Sequence, residues 1–164
     1  MELFEKSLNT LELPAILRML ADEAASPGAK ELAAALKPVT DVYEARYLQE
    51  ETTAARTMTN MRGAPSFSGV RDIRASVKRA GIGGMLNTVE LLDVASLLRS
   101  AAGAISYANA DRAEKTVIDA LFYALRANKY LETRISVSIL GAEEIADAAS
   151  SELADIRRHM RVAG

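Results

Sequence analysis

The stretch from Asn87 to Ile105 constrains the chain most. Leu91, Ala95, Leu98, Ala102 and Ile105 recur at spacings of three and four, the period of one helix face. Asn87 stands where a side-chain oxygen accepts from the first free N–H groups of a helix. Glu90, three residues on, completes a capping box. Aromatic residues make up only 5% of the chain and Trp is absent. The core must therefore come from Leu, Ile, Val, Ala and Met, a set that suits packed helices better than a β-sandwich. The expected fold class is all-α, a multi-helix core domain, in a chain of 164 residues that is long enough for one real core.

The other segments follow the same period. The chain is expected to be irregular up to Asn9-Thr10. Leu13, Ile16, Leu17, Leu20 and Ala24 then form a stripe, with Pro14 tolerable only in its first turn. Ser26-Pro27-Gly28 breaks that helix, and Ser26 caps a second one running to Leu36. Lys37-Pro38 ends it, because the residue before Pro avoids helical geometry. Thr40 is expected to cap a third helix to Asn60, with Val42, Ala45, Leu48, Thr52, Ala55 and Met58 as its buried face. Arg62 to Gly69 is the one long loop. A fourth helix is expected over Val70–Ala80, ended by Gly81, and a sixth over Ala113–Arg126. Ile135-Ser-Val-Ser-Ile139 alternates apolar and polar with β-branched residues, as strands do. The expectation is one small β-hairpin near 135–147, turned at Gly141, with a continued helix as the alternative.

Asp147 to Arg161 reads as a lead-in, a Ser150 or Ser151 cap and an amphipathic helix. Glu152 suits its positive end, and Leu153, Ile156 and Met160 line one face. Arg157, Arg158 and Arg161 fall on the other. That helix is well started when the sequence stops at Gly164, which suggests a piece of a longer protein; the alternative is a frayed last helix of a complete one.

Chemistry is sparse. There is no Cys, hence no disulfide framework or thiolate metal site, which fits a reducing cytoplasm. No apolar run approaches a membrane span, and the start of the chain has no secretory pattern. Gly63 to Gly69 lacks the lysine of a phosphate loop, and Gly81-x-Gly83-Gly84 does not follow a strand. His159 is the single histidine and has no partner for a metal site or a triad. No catalytic, cofactor-binding or metal-ligating residue is therefore expected. The net charge of −2 conceals a local excess: residues 61–80 hold five bases and one acid, Asp72. On the fourth helix Val70, Ile73, Val77 and Ala80 form the apolar side. Arg71, Arg74, Lys78 and Arg79 spread over the other, a candidate phosphate-binding face. The bland reading is a solvated face paired with acidic neighbours.

Several short motifs occur in a telling order. They are Thr10-Leu-Glu12 with Ile16 and Leu20, Ser26-Pro-Gly28, Leu36-Lys-Pro38, Gly69-Val-Arg71-Asp72-Ile73-Arg74, Gly83-Gly84 with Leu86, and Ile145-x-Asp147-x-Ala149-Ser150-x-x-Leu153-x-x-Ile156-Arg157. In this order they resemble the opening of the bacterial MutS-type paralogues that act outside mismatch repair, the "type two" MutS family. One departure is Glu143, where that family usually has Gly. The resemblance implies a helical core over residues 1–149 and the start of a long lever helix over 150–164. It implies that the whole protein is a dimeric ATPase, often with a nuclease domain, that uses ATP and Mg. The implied partners are branched DNA, where recombination is suppressed, and the rRNA of collided ribosomes. No ATPase or nuclease motif of that family lies in these residues. The segment would then be a non-catalytic scaffold that neither hydrolyses ATP nor cuts DNA on its own. The reading from another class is a free-standing helical adaptor that binds a protein partner through an apolar groove.

Overall fold

The computed structural model describes residues 2–67, 69–110 and 115–163, and the side chains of these apart from 2–5 and 163. Among them the chain is helical apart from one small hairpin. The order is α1 (Glu2–Thr10), α2 (Leu13–Glu23), α3 (Pro27–Ala34), α4 (Val42–Arg62), α5 (Arg74–Gly81), α6 (Thr88–Asn109), α7 (Asp119–Tyr123), α8 (Lys129–Ser138), β1 (Ile139–Gly141), β2 (Glu144–Ile145), a single 3₁₀ turn (Asp147–Ala149) and α9 (Ser151–Ala163). Contacts divide it into two units: Met1–Val70 with Glu114–Ile118, and Arg71–Ala113 with Asp119–Gly164.

In the first unit the start of the chain is helical rather than irregular. Glu12, at φ 56°, makes the left-handed step between α1 and α2, and Pro14 stands in the first turn of α2. The Ser26 hydroxyl accepts from the Ala29 N–H at 3.3 Å and caps α3 as the sequence indicates. The cap of α4 lies one residue beyond the expected Thr40. Asp41 Oδ1 accepts from the N–H groups of Tyr43 and Glu44, both at 2.9 Å, and its charge also suits the positive helix end. The expected buried face of α4 is only partly realised. Met58 is buried and Ala45 half-buried, but Val42, Leu48, Thr52 and Ala55 are exposed. Periodicity identifies the apolar face of a helix and says nothing of whether another element covers it.

In the second unit α6 packs along α8. Ala95 is small enough to let Ile135 and Ile139 approach, and Leu91, Leu92 and Val94 close around them. The alternating stretch expected as a strand is helical as far as Ser138. Asn128 caps α8 by accepting from the Leu131 N–H at 3.0 Å, and its buried side carries Glu132 and Ile135, with Ile139 following just past its end. The hairpin exists, four residues shorter at its start. Ile139 faces Ile145 and Gly141 faces Glu144, with an irregularity between them. Glu143 fits its turn because no positive φ is required there. The Thr88 hydroxyl at the start of α6 donates to the Ala142 carbonyl and ties this turn to the helix. The expected helix over Ala113–Arg126 reduces to α7, and its first two residues lie outside the described residues. The β-branched run Thr116-Val117-Ile118 weakens helix formation before it.

The cap of α9 is Ser150, which accepts from the Leu153 N–H at 3.1 Å. Its inward side is corrected by the structure. Leu153, Ala154 and Arg157 are half-buried, whereas Ile156 is 50% and Met160 69% exposed. Arg157 donates to the Ile145 carbonyl at 2.7 Å and to Asp147 Oδ1 at 2.6 Å, so an ion pair occupies the side that apolar residues were expected to take.

Candidate nucleic-acid interface

The short basic helix α5 is bounded by two local devices. At its start Asp72 Oδ1 accepts from the Arg74 N–H at 3.0 Å, which fixes a turn and delays the helix to Arg74. The expected start at Val70 is thus four residues early, and Arg71 precedes the helix. At its end Gly83, at φ 83°, reverses the chain. Its N–H donates to Ala80 O and that of Gly84 to Arg79 O, both at 2.9 Å. A Cβ on Gly84 would meet Arg79 Cγ at 2.5 Å and Arg79 O at 2.9 Å, so only glycine permits this approach.

The four expected cations separate into two pairs. Arg74 is held by Asp72, with Nε at 2.9 Å from Oδ1 and Nη2 at 2.5 Å from Oδ2. These side-chain bonds, with the backbone N–H, hold the Asp72 carboxyl down to about 2. Arg79 reaches across to α6. Its Nε donates to the Met85 carbonyl at 3.2 Å and its Nη2 donates to Glu90. Glu90 also accepts from the Asn87 N–H at 3.0 Å and from the Ser76 hydroxyl at 2.8 Å. The backbone bond, then Arg79 and Ser76, hold its carboxyl down to about 2. Arg71 and Lys78, by contrast, are exposed and make no ion pair among the described residues.

The expected apolar side of this helix is also revised. Ser76 is the buried residue of α5, while Val77 is 54% exposed and Ala80 is exposed. The helix is joined to its neighbour by a polar knot around Glu90 rather than by an apolar stripe. The capping box at Asn87 and Glu90 was readable from spacing, but the second use of Glu90 had no sequence signal. His159 lies exposed on α9. Among the described residues no cluster of His, Cys, Asp or Glu could hold a metal ion, and no helix is long and apolar enough to cross a membrane.

No family model matches the chain. Its relatives are more informative. Over 160 residues it is 43% identical to a protein of Acetivibrio thermocellus named Endonuclease MutS2, an alignment covering 96% of this chain and 20% of the relative. Proteins of the same name from Agathobacter rectalis and Ruminiclostridium cellulolyticum are 39% and 38% identical, each over 159 residues and with the same coverage. Over this span the chain belongs to the MutS2 family. It corresponds to an N-terminal segment and spans about a fifth of the length of the curated relatives it matches. In this MutS2 segment two further residues near the cations were not singled out by sequence reasoning. Ile82 and Met85, in the turn after α5, are 82% and 91% exposed. Their sequence signal was available in hindsight, since both are large apolar residues in a glycine-rich turn that small or polar residues usually fill.

Proposed function

We propose that this segment is the non-catalytic helical core of a MutS2-type endonuclease acting on branched DNA to suppress recombination, with residues 150–164 as the base of its lever helix. The observation that carries the reading is the 43% identity to a protein named Endonuclease MutS2 across 96% of the chain. In the proposal the working protein is a dimer, and the ATP, Mg and nuclease chemistry belong to parts of the longer relatives that this segment does not match. Collided ribosomes are a second target in the same proposal. The scaffold acts by passing a rigid-body shift between nucleotide site and nucleic acid. Arg71 and Lys78 supply phosphate contacts, while Arg74 and Arg79 are braced by carboxylates and hold the face in shape.

The test replaces Arg71, Arg74 and Lys78 by Ala in the full-length protein and titrates branched DNA at several salt concentrations. Affinity should fall almost equally for all sequences, because phosphate carries no base information. The log–log salt slope should flatten by about one unit per lost contact. An unchanged slope with unchanged affinity would remove nucleic acid from this face. The adaptor reading predicts instead a protein partner whose binding ignores these cations.

A further inference from the structure

The turn between α5 and α6 is built firmly and ends in two bare apolar side chains. Gly83 and Gly84 close it with paired backbone bonds. The stem of Arg79 lies against Gly84, and its head is bound to the Met85 carbonyl and to Glu90. Met85 is therefore fixed through its backbone while its side chain stands in water, and Ile82 is nearly as open. Exposure of two large aliphatic side chains is unfavourable in water and is relieved when another surface covers them. The hydrogen-bonded turn presents them on an ordered backbone, so binding has only their side chains left to fix.

The surroundings indicate what covers them. Arg71 and Lys78 are exposed and make no ion pair among the described residues, while Arg74 and Arg79 are answered by Asp72 and Glu90, so the neighbourhood keeps an excess of two positive charges. Arg74, Lys78 and Ile82 are each four residues apart, so a row leads along α5 from the braced Arg74 through the unpaired Lys78 to the apolar tip. A polyanion with apolar faces exposed at one place complements that row. Duplex DNA offers those faces only where its stacking is interrupted. Ile and Met are among the side chains that enter such steps as wedges, with cations alongside on the phosphates.

We propose that Ile82 and Met85 form a wedge that packs against the unstacked base step of branched DNA, while Lys78 and Arg71 hold the flanking phosphates. This rests on the phosphate reading above and gives it structural selectivity: the cations take any duplex, and the wedge favours the branch. DNA is the chosen occupant over RNA, because the broad minor groove of A-form RNA lines its surface with 2′-hydroxyls that an apolar wedge would leave unpaired.

The experiment uses full-length protein, a DNA junction carrying 2-aminopurine beside the branch, and a linear duplex of the same sequence. The parent protein should raise the 2-aminopurine fluorescence and prefer the junction. Ile82→Gln/Met85→Gln should abolish the rise and reduce the preference by on the order of tenfold, the scale of one lost unstacking contact. Its salt slope should match the parent, since no phosphate contact is lost. Both positions are exposed, so the melting temperature should hold. Unchanged fluorescence and preference would overturn the wedge, as would an equal dependence on these residues with an RNA junction. Altered sedimentation of the double variant would also overturn it, by showing that the pair covers protein. The phosphate reading fails separately, through an unchanged salt slope in Arg71→Ala/Lys78→Ala.

Discussion

Helices α5 and α9 carry similar basic residues and use them differently. In α9 the counter-charge is supplied from the lead-in. Asp147 takes Arg157 at 2.6 Å and Arg161 at 3.3 Å, and Arg158 pairs with Asp155 within the helix. The Asp147 carboxyl is held below its ordinary range, chiefly by Arg157. Around α5 two carboxylates meet four cations. Asp72 and Glu90 take Arg74 and Arg79, and Arg71 and Lys78 are left outward. The lesson is one of reach. An arginine becomes a brace when an acid lies within one side-chain length, and otherwise it extends the positive field. Counting bases along a helix does not distinguish the two cases.

Both braces depend on one support. Glu90 stands on α6, and Ile145, whose carbonyl holds Arg157, stands on the hairpin that α8 leads into. Ile135 packs with Ala95 of α6 and Ile139 of the hairpin, the two elements that carry these acceptors. Ile135→Ala should therefore have the largest effect, about 2–5 kcal/mol, from lost burial and a cavity. Urea unfolding should show a lower midpoint with the same slope. Loosening confined to one of the two helices, seen by hydrogen exchange, would break the idea of a shared support.

The next effect separates the helices. Gly84→Ala places a methyl group against the Arg79 backbone carbonyl, so the turn must open. About 1–3 kcal/mol should be lost, the usual range for overpacking. Because the clash lies at the end of α5, exchange should rise at residues 74–90, with α9 protected as before. A neutral Gly84→Ala would mean that the approach of Arg79 is not what fixes the turn.

Acid should then weaken the α5 brace. The carboxyl of Glu90 is lowered in the fold from 4.5 to about 2. A depressed carboxyl contributes stability that is present above its unfolded pKa and lost as pH falls toward the folded one. The contribution of Glu90 should thus be complete at pH 7 and fade between about pH 4.5 and 2. Asp72, also lowered to about 2, fades over a similar range. Glu90→Gln should melt lower than the parent at pH 7 and lose less over that window. Parallel melting curves for the two proteins from pH 7 to pH 2 would show that Glu90 carries none of this dependence.

Much of this was legible beforehand, for local reasons. The caps at Ser26, Asn87 and Ser150 were readable because a cap and its helix lie within three residues. The all-α class followed from period and from the shortage of aromatics. The stretch Ile135–Ser138 misled because β-branched alternation favours a strand, yet packing of Ile135 and Ile139 on Ala95 rewards a helix there. The four cations were expected together on one helix as a phosphate-binding face; all four are exposed, but Arg71 precedes the helix and Arg74 and Arg79 are paired with acids. Glu90 is eleven residues from Arg79, and Glu132 is thirty-three from Arg99, distances at which a single sequence shows no pairing.

The smallest effect gives the sharpest contrast between the two helices. Arg157→Gln removes a donor that serves both Ile145 O and Asp147. Amide exchange should rise in residues 151–156 and around Ile145, because the start of α9 loses its tie to the hairpin. Lys78→Gln removes a charge that no acid answers among the described residues. Its melting temperature and its exchange pattern should both stay at the parent values, since an exposed and unpaired cation gives the fold little. The same change in the full-length protein should still reduce the salt slope of DNA binding by about one unit. The comparison fails if Lys78→Gln destabilises as much as Arg157→Gln, for Lys78 would then be a brace. It fails equally if Arg157→Gln leaves exchange untouched, for the pair with Asp147 would then hold nothing in place.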